Sequence, residues 1–376
     1  MVSSGPARVT SRRYAGLDGL RGIAAGIVLT THLILTIPAL TGRTPTDVTP
    51  EWFAAVLRTP LHLFTAGGEA VVVFFVLSGF VLTLPFVPSK DTSWIGYYPK
   101  RIVRLYVPVI ASVALAVLFA LLVPRMTGSG TWWVDAHVRP ISGSMVLSDA
   151  TLVAGTGKYN SVLWSLKWEV LFSLLLPAYV LLARWCRRFW LFGAASMAGL
   201  SIAGELIGSD AFIYLPIFGI GVFLAVGRSE MALLFSSRRW IVSAVGIVSV
   251  ASFTVRWAIP TAAIDHALLL VGCATAVTAF YAAPSLMRLS ETAPISWLGS
   301  RSFSLYLVHE PIVVSAALIA PGIAWPLTAT IGGLAALLVA EIFYRLVEMP
   351  SMRLAGRIGR RATALNRDHA LRRARS

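Results

Sequence analysis

Ten runs of about 20 predominantly apolar residues constrain this chain before anything else does. They fall near 17–40, 66–86, 102–123, 162–183, 189–207, 210–227, 240–258, 262–283, 297–320 and 325–347. A helix of that length crosses the hydrocarbon core of a bilayer. Within lipid only a helix or a closed barrel satisfies its own backbone hydrogen bonds, and runs this long and continuous fit the helix. Composition agrees, with 57% apolar residues and 13% charged against about 25% charged in an ordinary soluble domain. The mean hydropathy is +0.76. The expected fold is therefore all-α, a polytopic transmembrane helical bundle of about ten spans, and a water-soluble enzyme is excluded.

A net charge of +15 first brings nucleic acid to mind, but the positions of the charges point elsewhere. Arg8, Arg12 and Arg13 precede the first run; Lys90, Lys100, Arg101 and Arg104 follow the second; Arg184, Arg187 and Arg188 follow the fourth. Arg228, Arg238 and Arg239 follow the sixth, Arg288 and Arg301 lie between the eighth and ninth, and eight arginines from Arg353 to Arg375 follow the last. All fall on one side. The other side carries Arg43, Arg58, Arg125, Arg139 and Lys158, with base-free turns at 208–210, 259–261 and 321–324. The positive-inside rule then places both termini in the cytoplasm and the chain in the cell membrane, with no nucleic-acid partner required.

The expected organisation is a basic leader over 1–16, a transmembrane domain over 17–350 and an Arg-rich tail over 351–376 that lies on the anionic inner leaflet or is disordered. The first run is too long for a signal peptide and contains Arg21 and His32. Two outer loops of some size are expected, at 41–65 and 124–160. Cys186 and Cys273 match neither a disulfide framework nor a metal site, and no metal is expected.

Ionisable residues inside the spans carry the functional signal, because a charge at mid-membrane costs at least about 2.5 kcal/mol. Arg21 and His32 are eleven positions apart, about three helical turns and roughly 16 Å of rise, so they share one helix face. Asp18 lies one turn before Arg21, where it can orient the guanidinium.

The segment Leu17-Asp-Gly-Leu-Arg-Gly-Ile-Ala-Ala followed by His32 resembles the opening signature of the acyltransferase-3 family of integral membrane O-acyltransferases. Further similarities come in chain order: Phe74-Phe-Val-Leu-Ser-Gly-Phe80, Arg101-Ile-Val-Arg104, Trp164-Ser-Leu-Lys-Trp-Glu169, Ser304-Leu-Tyr-Leu-Val-His309 with Pro311, and Glu348-Met-Pro350. The resemblance covers about residues 12–353. It implies transfer of an acyl group, commonly acetyl, from a coenzyme A thioester at the cytoplasmic face to a hydroxyl of a carbohydrate or glycosylated acceptor.

The residues make chemical sense of that implication. Coenzyme A is polyanionic at one end, and the planar fork of arginine suits phosphate. Arg21, Arg101 and Arg104 are the candidate donor-binding residues, although bases flanking a span also serve topology. His32 is the candidate general base, since an imidazole with a pKa near roughly 6.5 suits deprotonation of a hydroxyl. Glu169, beside Trp164 and Ser165, is read as part of a sugar-binding wall, as a partner for His32, or as half of an internal ion pair with Lys167 or Arg256. His309 is a second candidate base, with Tyr306 one turn earlier among the substrate-binding candidates and Pro311 loosening the helix after it. Direct attack is favoured over an acyl-enzyme, acyl-histidine remaining open.

Other ionisable residues are read more plainly. Glu341, Arg345 and Glu348 are expected to form a structural ladder; His62, Glu69, Asp265 and His266 to sit near the outer surface; His137 and His369 to have no nameable partner. Gly79 and Phe80 are read as packing residues. Partners expected are acyl-CoA, the acceptor, the bilayer and, as an open option, a second copy of the chain. A transporter of a small polar molecule is the competing class, disfavoured because no inverted repeat with paired interrupted helices is visible. The same chemistry on a secreted metabolite such as a macrolide is a third option.

Overall fold

The computed structural model describes residues 6–44, 46–87, 94–126, 128, 130–153, 157–258, 262–319 and 325–373. Among them all regular structure is helical. The long helices are α1 (Pro6–Leu35), α2 (Gly67–Thr83), α3 (Trp94–Leu122), α4 (Leu163–Trp185), α5 (Trp190–Ile207), α6 (Asp210–Val226), α7 (Arg228–Ser237), α8 (Arg239–Ala258), α9 (Ala262–Ala282), α10 (Ala293–Ile319), α11 (Trp325–Phe343) and α12 (Met349–Arg373). Nine helices among the described residues are long and apolar enough to cross a membrane, and α6 with α7, bent by 60°, makes up to ten. The expected transmembrane bundle is thus the observed one. The expected turns at 259–261 and 321–324, with Lys90, Arg375 and the side chains of Arg8, Arg12, Arg13, Arg239, Arg367, His369, Arg372 and Arg373, lie outside the described residues.

The chain forms two compact units, one of residues 1–34, 48–88 and 178–302, the other of residues 35–47, 89–177 and 303–376. In the first, α6 is the central helix: Ile217, Phe218, Val222 and Ala225 are fully buried. Apolar side chains gain nothing by leaving lipid, so close helix approach depends on small residues. Two glycines supply it reciprocally. A Cβ on Gly79 of α2 would lie 1.9 Å from the Phe218 carbonyl oxygen, and one on Gly221 of α6 would lie 2.0 Å from that of Val76.

In the second unit Val123, Trp133, Val134, Val314 and Leu318 form a buried cluster beneath the segment after α3. The loop expected over 124–160 therefore has structure, including short helices at Trp132–Ala136 and Gly143–Thr151. Fully buried Asp149 accepts the backbone N–H groups of Lys158 (2.9 Å) and Tyr159 (2.8 Å). Helix α3 begins eight residues before its apolar run, where Tyr97 and Tyr98 donate to the carbonyls of Ser173 (3.4 Å) and Leu174 (3.2 Å).

The C-terminal region adds two findings. Over its described part the Arg-rich tail is helical and not disordered: α12 continues the chain from α11 through a π-helical turn at Tyr344–Glu348. It packs against α3, where a Cβ on Gly96 would meet Thr363 Oγ1 and the Gly359 carbonyl. The ladder also loses a member. Arg345 pairs with Glu341 at 2.5 Å, but a π-turn inserts a residue and rotates the side chains beyond it about the helix axis. Glu348 is instead buried, accepting the Ser304 backbone N–H (3.1 Å) and hydroxyl.

His137 is likewise not without partners. Its Nδ1 faces the Trp133 carbonyl (2.7 Å) and its Nε2 faces Glu310 Oε1 (2.9 Å). Ser161 donates both its backbone N–H and its hydroxyl to Glu310. Both ring nitrogens thus address acceptors, which suits an imidazolium against a carboxylate. Burial alone would lower the His137 pKa, but the charge and hydrogen bond of Glu310, with the Trp133 carbonyl, outweigh it and push the pKa above the ordinary 6.5.

Thermal unfolding in detergent tests both the glycine contact and the buried pair. Gly79→Ala should destabilise the purified protein by about 1–3 kcal/mol through overpacking, while Gly199→Ala, with open space around its Cβ, stays within about 0.5 kcal/mol. A histidine pKa raised on folding stabilises fully below pH 6.5 and less as pH climbs through the raised value. Wild type should therefore lose thermal stability above pH 6.5 more steeply than His137→Gln, and parallel curves would remove the charged pair.

Candidate active site

Helix α1 carries the first group of candidates, all but its last residue in the first unit. Gly16, Gly19 and Gly22 recur every third residue and face neighbours too close for side chains: a Cβ on Gly16 would lie 2.1 Å from the Phe280 carbonyl oxygen, on Gly19 2.1 Å from Ser290 Oγ, and on Gly22 2.5 Å from the Gly299 nitrogen. This glycine stripe fixes the rotation of α1 and turns Asp18 and Arg21 away from the packed face. Arg21 Nη1 donates to Asp18 Oδ1 at 3.1 Å, with the side chains 26% and 58% exposed. The pair is the i, i+3 contact that the sequence predicts.

From Arg21 the helix runs unbroken to His32, so the roughly 16 Å rise between them holds. His32 is half-buried. Its neighbour Thr31 donates to the carbonyls of Ile27 (2.9 Å) and Thr65 (2.8 Å), and Gly67 leaves room for the Thr31 side chain. The end of α1 is thereby tied to the start of α2.

The remaining candidates lie in the second unit. Arg101 of α3 forms an ion pair with Glu169 of α4 and donates from Nε to Ser173 Oγ at 3.0 Å; the Arg101 and Glu169 side chains are 11% and 19% exposed. Two of the five guanidinium donors are thus committed to α4. The suggested partners Lys167 and Arg256 are engaged elsewhere: Lys167 stands over the Trp168 ring at 5.0 Å, and Arg256 bridges Glu69 and Asp265. Arg104 shares the Arg101 face of α3 at half-burial, and Trp164 is half-buried one residue before Ser165.

Ser165 and Tyr306 meet, hydroxyl to hydroxyl, at 2.7 Å, and the Val162 carbonyl accepts from Ser165 at 2.9 Å and from Tyr306 at 3.2 Å. Tyr306 is one turn from His309, ring centroids 6.2 Å apart. His309 is fully buried with Nδ1 at 2.8 Å from the Leu305 carbonyl. A carbonyl only accepts, so Nδ1 carries the proton, and in the neutral ring Nε2 is the nitrogen with the lone pair.

Three polar clusters escape sequence reading. One is His137–Glu310–Ser161. The second is Arg256 with Glu69 and Asp265, completed by Trp257 Nε1 donating to Glu69 at 3.0 Å. The third sets His266 Nε2 2.8 Å from Ser201 Oγ and its Nδ1 3.3 Å from Glu205. Glu69, Asp265 and His266 are thus partnered groups, where the sequence suggested residues simply bathed by water. The usable signal was Glu310 itself, a carboxylate mid-span beside His309. Among the described residues no group of three or more His, Cys, Asp or Glu side chains is placed to hold a metal ion.

Comparison with known proteins gives the family of the chain. A family profile described as an acyltransferase domain matches residues 14–345. The protein named Acyltransferase MdmB, from Streptomyces mycarofaciens, is 28% identical over 402 aligned residues that cover 96% of each chain. No solved structure matches. The match runs from the glycine stripe of α1 through α11, over both units, and the chain therefore belongs to the acyltransferase-3 family.

Proposed function

We propose that this chain is a multi-pass O-acyltransferase of the cell membrane that moves an acyl group, acetyl above all, from a coenzyme A thioester to a hydroxyl of a carbohydrate-containing acceptor. The observation that carries the reading is Arg21 and His32 on one uninterrupted helix; with Arg21 read as a phosphate-binding group and His32 as a base, their roughly 16 Å of rise suits a pantetheine arm.

In this reading the donor enters at the N-terminal end of α1, from a cytoplasm that also holds both termini, as the distribution of bases supports. Arg21 takes a phosphate with Asp18 holding the guanidinium in place. Within the second unit, Arg104 and the Arg101 donors that Glu169 and Ser173 do not use are further phosphate-binding candidates of this reading. His32 accepts the proton of the acceptor hydroxyl while its oxygen attacks the thioester carbonyl. A C–O bond forms, the C–S bond breaks, and the proton passes to the departing thiolate, so acceptor ester and free coenzyme A leave. Within the second unit, this reading gives Trp164, the Ser165–Tyr306 hydroxyl pair and Glu169 to acceptor binding, and His309, with its Nε2 lone pair, to acid–base chemistry.

Three measurements test the reading. In membranes given radiolabelled acetyl-CoA, His32→Ala should lower transfer by about 10²–10⁴-fold at unchanged protein level; unaltered transfer removes His32 from the chemistry. Arg21→Gln should raise the KM for acetyl-CoA about tenfold with a smaller effect on kcat, equivalent to about 1.4 kcal/mol of lost binding. Cysteines placed at either terminus should react with an impermeant maleimide only after the cells are opened, and labelling of intact cells contradicts the orientation.

A further inference from the structure

The segment following α3 holds a cavity of about 480 Å³ lined by Leu121, Leu122, Pro124, Arg125, Arg139 and Ile141 among others. Its two charged residues are both arginines. Neither has a carboxylate partner among the described residues: Arg125 Nη1 donates to the His137 carbonyl at 3.0 Å, and Arg139 Nε to that of Ala136 at 3.0 Å. The Nε of Arg125 is buried with no hydrogen-bond partner among the described residues. Burial also pulls the Arg125 pKa down from its usual range. A desolvated cation lacking both counter-charge and a full set of acceptors is costly, and a buried unsatisfied donor in a native structure calls for an explanation.

Around the arginines the surface is apolar and bare. Leu121 and Leu122 are each 68% exposed, Met126 71% and Ile141 42%. The cavity begins where the candidate span Trp94–Leu122 ends, the depth at which headgroups meet acyl chains. It is also remote from the other arginines of α3. Arg101 and Leu122 are 21 residues apart on one helix, roughly 31 Å and about the thickness of the hydrocarbon core. These two arginines therefore serve the opposite membrane face from Arg101 and Arg104.

We propose that this cavity is a binding site for an anionic phospholipid, whose phosphodiester is clamped by Arg125 and Arg139 and whose acyl chains lie along Leu121, Leu122 and Ile141. Paired guanidiniums without a carboxylate match phosphate oxygens in charge and geometry. The exposed leucines supply what a soluble anion has no use for. Because Arg125 also holds the His137 carbonyl, the lipid fastens the segment that carries the His137–Glu310 pair.

Native mass spectrometry of the full chain in detergent, titrated with phosphatidylglycerol or phosphatidylcholine, tests the site independently of any transferase activity. Each arginine near an anionic headgroup is worth about fivefold in binding. Wild type should retain one phosphatidylglycerol at least fivefold better than phosphatidylcholine, and the double variant Arg125→Gln with Arg139→Gln should lose that preference. Arg139→Gln alone, on an exposed side chain, should cut retention about fivefold and stays readable if the double variant folds poorly. Arg58→Gln, an arginine outside the cavity, should leave retention unchanged. Equal retention of both lipids by wild type, or undiminished preference in Arg139→Gln, overturns the site; displacement by equimolar inorganic phosphate overturns the lipid as its occupant.

Discussion

A charge inside a bilayer must find its counter-charge within the protein, and this requirement organises the molecule. Water is not there to solvate an isolated guanidinium or carboxylate, so each costs several kcal/mol unless paired. Arg101 is held by Glu169, and Arg256 by Glu69 and Asp265. Glu310, with no exposed surface, collects His137 and both donors of Ser161. These contacts act as fixed points: α3 is joined to α4, α2 to α8 and α9, and α10 to the segment beneath which the Val123–Trp133 cluster packs. Glycine contacts such as Gly79 on Phe218 then set how closely the helices approach.

Arg21 departs from that pattern in an informative way. Its acid, Asp18, is on the same helix and is 58% exposed, so the pair ties no two helices together. A pair of this kind adds little to stability. What it does is hold a cation at an accessible place on the same face as His32, which suits a group kept for a ligand. The Ser165–Tyr306 pair and the ordered tautomer of His309 show a similar local control in the second unit, where hydroxyls and a ring nitrogen are oriented by nearby backbone carbonyls.

Much of this was legible in the sequence, and what was not shares a physical cause. Spans follow from local apolar runs, and Asp18–Arg21 from a spacing of three; both are properties of a single helix. Ser165 and Tyr306 were each singled out, but their mutual contact spans 141 residues. The partner of Glu169 lies 68 residues away and that of Glu310 173 away. Which helices adjoin is decided by packing, so ion pairing between them is invisible to spacing. The displaced Glu348 has a local cause, a π-turn that shifts helical phase without a marker in residue type. His137 looked unremarkable because it lies between spans and its partner is a carboxylate inside one, 173 residues away.

Family membership supports acyl transfer at the membrane, and the proposed chemistry is esterification of a hydroxyl. Mass spectrometry of glycans and secreted metabolites from cells with and without this gene tests that claim most directly. The account predicts that one glycosylated species loses the mass of a single acyl group when the gene is absent, while its unacylated form accumulates. Identical acylation in both cell lines, with a small polar solute accumulating in one of them, would contradict it and turn attention to transport.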